Sequence, residues 1–215
     1  MRKVKKARPM SSSSFLDKPQ TPLVIDASVV INLNATGRAH EIIRAFPNPF
    51  LVTENAAAEL ANGARNGHTD SEALQELVRQ RVLQTVALDP TDLAVYETLI
   101  EGHAAQTLDD GEAATIAFAV GGSAMVVLDE RKARNICSSR LQGLNVFSTV
   151  DLLTHDLVET ALGKSGQIDA IVAALQGARM RVPTDKIAVV VALIGDANAA
   201  NCHSLPKAVR FTASG

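Results

Sequence analysis

Four acidic residues stand where strand-like runs give way to helix-like ones: Asp26 in LVIDASVVINL, Glu59 in VTENAAAEL, Glu112 in LDDGEAATIAFA and Asp129 in MVVLDERKAR. If the flanks fold as their patterns indicate, the four carboxylates meet at one end of one parallel sheet. Crowded carboxylates do not all stay ionised unless something neutralises them. The usual neutraliser is a hard divalent cation such as Mg²⁺ or Mn²⁺, which takes oxygen ligands from several elements and completes its shell with water. The chemistry indicated is metal-dependent phosphodiester hydrolysis, in which one ion polarises a phosphate or two clamp the attacking and leaving oxygens.

Taken singly, each acid has a plainer role open to it. Asp26 directly follows LVI and suits a helix N-cap, with Ser28 either supporting it or meeting a ligand oxygen. Glu59 lies inside its helix and cannot be a cap. On the 3.6-residue period it shares a face with Asn55 and Asn62, beside the small Ala56–Ala58. Asp109-x-x-Glu112 has capping-box spacing, and Gly111 between them permits close backbone approach. Asp129 is a cap or a ligand, and adjacent Glu130 can exchange roles with it. Arg131, Lys132 and Arg134, with Arg140 beyond, are the candidates to grip RNA phosphates, against the reading of a solvated helix face.

The elements that must position these residues alternate from Thr21 onward. Strands are expected at 23–26, 50–53, 81–88, 124–128 and 145–148. Helices are expected from 27 to about 46 with a break near Thr36–Gly37, then at 54–65, 71–80, from Pro90, across GEAATIAFAV, and at 131–141, 150–162 and 167–180. Such alternation implies βαβ units and a parallel sheet with helices on both faces. Ligands then bind beyond the carboxyl ends of the strands. KIAVVVALI at 186–194 reads equally as a sixth strand or a buried helix.

Composition narrows the function. At 215 residues and 47% hydrophobic, the chain can bury one sizeable core. Aromatics are 3% and Trp is absent, which argues against reading single strands through an aromatic stacking platform. Cys137 and Cys202 lie in no metal or redox spacing and the five histidines are scattered, so neither a zinc site nor a disulfide framework is expected. No apolar run is long enough to span a bilayer and no secretory h-region opens the chain, so a soluble, cytoplasmic protein without membrane contact is expected. Arg2, Lys3, Lys5, Lys6 and Arg8 sit in a stretch without acids while the formal total is −2, so the body is acidic. That disfavours non-specific nucleic-acid binding, except where carboxylates hold a metal and the local sign reverses. Residues 1–20 read as a disordered basic, Ser-rich tail, 21–163 as the nuclease-like domain, and 164–215 as a C-terminal extension of helix, apolar segment and tail.

The ordered motifs VIDASVVINL, VTENAAAEL, LDDGEAATIAFA and VVLDERKAR resemble those of the PIN-domain ribonucleases over about residues 23–150. They are most similar to a VapC-like subgroup with a GEA third motif and an LD-[DE]-R-x-A-R fourth. The resemblance implies an α/β fold, a three-layer α/β/α sandwich around a parallel sheet of about five strands. It places an acidic tetrad on Asp26, Glu59, Glu112 and Asp129, with Glu130 as the alternative to Asp129 and Ser28 in support. It implies Mg²⁺ or Mn²⁺ and endonucleolytic cleavage of RNA by metal-activated water. Many relatives are toxins of toxin–antitoxin pairs, which implies a homodimer and a small antitoxin partner. The basic head and the long C-terminal segment depart from a compact toxin. A catalytically silent PIN-like scaffold that binds RNA or protein is the competing reading. A haloacid-dehalogenase-type phosphatase would want a second Asp where Ser28 stands.

Overall fold

The computed structural model describes residues 18–64, 69–104 and 106–210. The basic head expected as a disordered tail falls, for residues 1–17, outside the described residues.

Short runs rich in Val, Ile, Leu and Phe form β1 (Leu23–Ile25), β2 (Phe50–Thr53), β3 (Gln84–Val86), β4 (Met125–Val127) and β5 (Val146–Phe147). They pair in parallel in the order β3-β2-β1-β4-β5, with Leu23 of β1 opposite Phe50 on one side and Met125 on the other. The two-residue period of a strand splits their side chains between two cores. Leu23, Ile25, Phe50, Val52, Met125 and Val127 enter one core, and Val24, Leu51 and Val126 enter the other. Burial on both faces is why the central strands are continuous apolar runs.

On the first face lie α1 (Ala27–Ala35), α2 (Ala39–Ala45), α3 (Glu54–Ala64) and α4 (Asp70–Arg79). Gly37 (φ 66) takes a left-handed conformation and separates α1 from α2, at the break expected there. On the second face lie α5 (Pro90–Ile100), α6 (Asp110–Gly121) and α7 (Arg131–Arg140). The chain thus travels from β1 out to β3 over one face and returns to β4 and β5 over the other, the pattern that right-handed crossovers produce. Strand order reverses at β1, and the crevice beyond its carboxyl end is the ligand position of such sheets.

The remaining helices are α8 (Thr149–Leu153), α9 (Asp156–Gly177), α10 (Ile187–Ile194), α11 (Asp196–Ala200) and α12 (Lys207–Arg210). The two helices expected at 150–162 and 167–180 are instead a short α8 and a long α9 kinked at Gly163 (φ 72, ψ 160). The ambiguous KIAVVVALI run is helix α10, with Val190 and Ile194 buried. A boundary after residue 163 falls at the kink of α9. Beyond it, Ala170, Leu175, Val190, Ala199, Cys202 and Leu205 share the first core with Leu23 and Ile25. Both cysteines are free and buried. Among the described residues no helix is long and apolar enough to cross a membrane.

Candidate active site

Asp26 leaves β1 and caps α1, its amide donating to the Val127 carbonyl at 3.3 Å. It therefore sits where β1 meets β4, and it is 4% exposed. Oδ2 accepts from the Ser28 amide (3.2 Å) and the Ser28 hydroxyl (2.7 Å). Oδ1 is buried and has no hydrogen-bond partner among the described residues. Cap and candidate ligand are thus one residue: one oxygen holds the helix while the other is left for something else.

Glu59 comes from α3, whose N-terminus is capped by Thr53 Oγ1 accepting from the Ala56 amide at 3.3 Å. The face inferred from the helical period is the one that meets α6. Asn55 donates to both oxygens of Asp110 (3.0 and 3.1 Å), and one turn later Glu59 Oε1 accepts from the Gly111 amide at 2.8 Å. Of the three alanines, Ala56 is buried and Ala58 exposed, so close approach is made at Ala56. The bare Cα of Gly111 leaves room for the Glu59 carboxyl to stand there. A Cβ there would lie 2.5 Å from Glu59 Oε2.

Glu112 follows in the first turn of α6, 7% exposed. The Asp109 side chain accepts from the Glu112 amide at 3.0 Å, but the return bond of a full capping box is not formed. Half a box leaves the Glu112 carboxyl facing the crevice. Asp26, Glu59, Asp109, Glu112, Glu130 and Lys132 line one cavity of about 530 Å³ at the carboxyl end of the sheet.

Asp129 is not among them. It lies behind the cavity, 6% exposed, with Oδ1 accepting from the Thr149 amide (2.8 Å) and Oδ2 from Thr149 Oγ1 (2.5 Å) and Asn32 Nδ2 (2.6 Å). Its oxygens tie β4 to α1 and α8. Glu130, the alternative, faces the cavity and pairs with Arg181. Asp109, a cap by its spacing, also lines the cavity. The signal for it was its three-residue spacing from Glu112, which puts both acids on one helix face. Thr149 and Asn32 carried no signal in the sequence.

The electrostatics follow from crowding. Burial, then the charges of Asp109, Asp26, Glu130 and Glu59, push the Glu112 carboxyl up to about 8. Burial pushes Glu59 up to about 7 against the stabilising Gly111 N–H, with Asp109, Asp26 and Asp110 adding to the rise. Burial also raises Asp26, opposed by its bonds from Ser28, and raises Asp129, opposed by Thr149, Asn32 and the Arg134 charge. The basic residues of α7 divide. Lys132 reaches the cavity and donates to the Ala104 carbonyl at 2.6 Å, while Arg134 donates to the Leu128 carbonyl at 3.3 Å.

An all-oxygen set of excess carboxylates with one unpartnered buried oxygen fits a hard cation and no soft one. Among the described residues, no three acidic, histidine or cysteine side chains already form a cage for an ion. Loading would therefore draw the carboxylates inward from their present positions.

Comparison with curated proteins finds no match, and comparison with solved structures finds none. A family model described as a PIN domain matches residues 22–196, well past the 23–150 covered by the motifs and into α11. The parallel five-stranded sheet flanked by helices is the architecture expected of that family. With most of its length matched, the chain belongs to the PIN-domain family.

Proposed function

We propose that this protein is a metal-dependent endoribonuclease that hydrolyses RNA phosphodiester bonds. PIN domains are nucleases as a class and generally use divalent metals. The observation that carries the reading is the carboxylate cavity itself. Five acids line it, two are pushed up to about 7 and about 8, and Asp26 Oδ1 is buried without a partner among the described residues. Such an arrangement is unfavourable until a cation enters.

Asp26, Glu112 and Glu130 would hold Mg²⁺ or Mn²⁺ directly, with Glu59 reaching it as the carboxylates draw in. Asp129 fixes the end of β4 and so aims Glu130, while Ser28 orients Asp26. Bound there, the ion supplies charge neutralisation for a phosphate and a lowered pKa for water. Lys132 holds a phosphate oxygen at the rim, and Arg131 and Arg134 extend the basic edge of α7. The choice of RNA rests on the likeness of the four ordered motifs to the ribonuclease subgroup. The same likeness supports a VapC-like toxin that acts as a homodimer in the cytoplasm and is inhibited by a small antitoxin.

Purified protein incubated with mixed RNA should cleave it with Mn²⁺ and not with EDTA, and Asp26→Asn should abolish cleavage. Undiminished cleavage by Asp26→Asn would sink the mechanism, and no cleavage of any RNA by the native protein would favour a silent RNA- or protein-binding scaffold.

A further inference from the structure

The two chain neighbours Asp129 and Glu130 form a ridge between two cavities of different character. On the Glu130 side lies the carboxylate cavity. On the Asp129 side lies a groove of about 530 Å³ between α7 and residues 181–187, lined by three cations, Arg131, Arg134 and Arg181, and two acids, Asp129 and Asp185. Asp129 forms part of the groove wall, but its oxygens are already engaged by Thr149 and Asn32. Asn135 and Ser138 add neutral hydrogen-bonding groups on the α7 wall.

The cations have donors to spare. Arg131 is exposed and makes no hydrogen bond or ion pair among the described residues. Arg134 commits one N–H to the Leu128 carbonyl, and a guanidinium carries five. Arg181 is 66% exposed and reaches across the ridge to Glu130. Planar guanidinium groups match phosphate oxygens in pairs.

The opposite wall is a fixed piece of chain. Arg181 pairs with Glu130, and five residues on Lys186 Nζ pairs with Asp151 at 2.7 Å. Asp151 is buried and forms the capping box of α8 with Ser148, next to the Thr149 that holds Asp129. The stretch 181–186 is thus tied by charge to Glu130, ahead of α7, and to Asp151 of α8.

We propose that this groove is a second phosphate subsite, in which Arg181 with Arg131 and Arg134 binds a phosphodiester of single-stranded RNA adjoining the one held in the carboxylate cavity. The proposal rests on the nuclease reading and extends it to the C-terminal segment, which the four motifs do not reach.

The test measures binding of a fluorescent single-stranded RNA oligonucleotide by anisotropy in Mn²⁺ across a salt series, on the Asp26→Asn chain so that the RNA stays intact. Arg181→Ala should weaken binding and make the plot of log affinity against log salt shallower by about 0.7, the share of one phosphate contact on a single strand. Arg181→Lys should keep the slope. An unchanged slope and affinity in Arg181→Ala overturns the subsite, whether or not the native chain cleaves RNA. A shallower slope together with no cleavage by the native chain keeps the subsite and removes the nuclease reading.

Discussion

Asp129 and Glu130 are adjacent in the chain and live in opposite surroundings. Asp129 is buried and accepts three hydrogen bonds, while Glu130 is half-exposed and paired only with Arg181. Asparagine at 129 turns one acceptor into a donor facing donors, and an unsatisfied buried group costs about 1–3 kcal/mol. Asp129→Asn should therefore lower the unfolding free energy by that order and the urea midpoint with it, and Glu130→Gln should leave both nearly unchanged. Mn²⁺ titration should give the complementary result, with affinity falling in Glu130→Gln. Equal Mn²⁺ affinity in Glu130→Gln and the native chain would return the ligand role to Asp129. The sequence left this choice open for a physical reason. What sets the two acids apart is a hydroxyl and an amide on Thr149 and a side chain on Asn32, which are 20 and 97 residues away in the chain.

At the scale of elements, the contact between α3 and α6 decides where Glu59 stands. Gly111 lies in a helix, where alanine is ordinarily preferred by up to about 1 kcal/mol. A methyl group there meets only the far end of the Glu59 side chain, which can move away. Gly111→Ala should hold or raise the melting temperature and reduce metal-dependent cleavage by roughly 10–100-fold, the usual effect of losing an orienting partner. Retained activity would show that Glu59 does not need this position. The central strands were legible as short continuous apolar runs, and the first helices and the α3 face by their 3.6-residue period, with Gly and Pro marking the breaks. The α10 run was not. IAVVVALI has no polar residue to mark a period, and only packing of Val190 and Ile194 against the first core makes it a helix.

For the whole molecule, the crowded acids make stability depend on pH in an unusual direction. Glu59 and Glu112 hold protons in the folded chain up to about 7 and about 8, whereas their ordinary value is 4.5. Between these limits the folded chain binds more protons than the unfolded one, so stability falls as pH rises from about 5 to about 8. The raised Asp26 and Asp129 act in the same sense. Glu41 and Asp89, held below their ordinary values, act only in acid beneath this window. Melting curves in EDTA should thus shift downward from about pH 5.5 to pH 8, and Mn²⁺ should raise them most at the alkaline end by taking the place of the protons. A melting temperature flat across that range, with or without Mn²⁺, would mean that the carboxylates do not interact as described.

The sharing of one core between β1 and the last helices also orders events during synthesis. Leu23 and Ile25 leave the ribosome long before Ala199, Cys202 and Leu205, which pack in the same cluster. Contacts so distant in the chain close late in folding. Arg181 and Lys186, tied to Glu130 and Asp151, belong to that late portion. A nascent chain therefore carries all four acidic motifs well before it has a finished site, and a nuclease built this way acquires its full active architecture only once its last core helices have emerged.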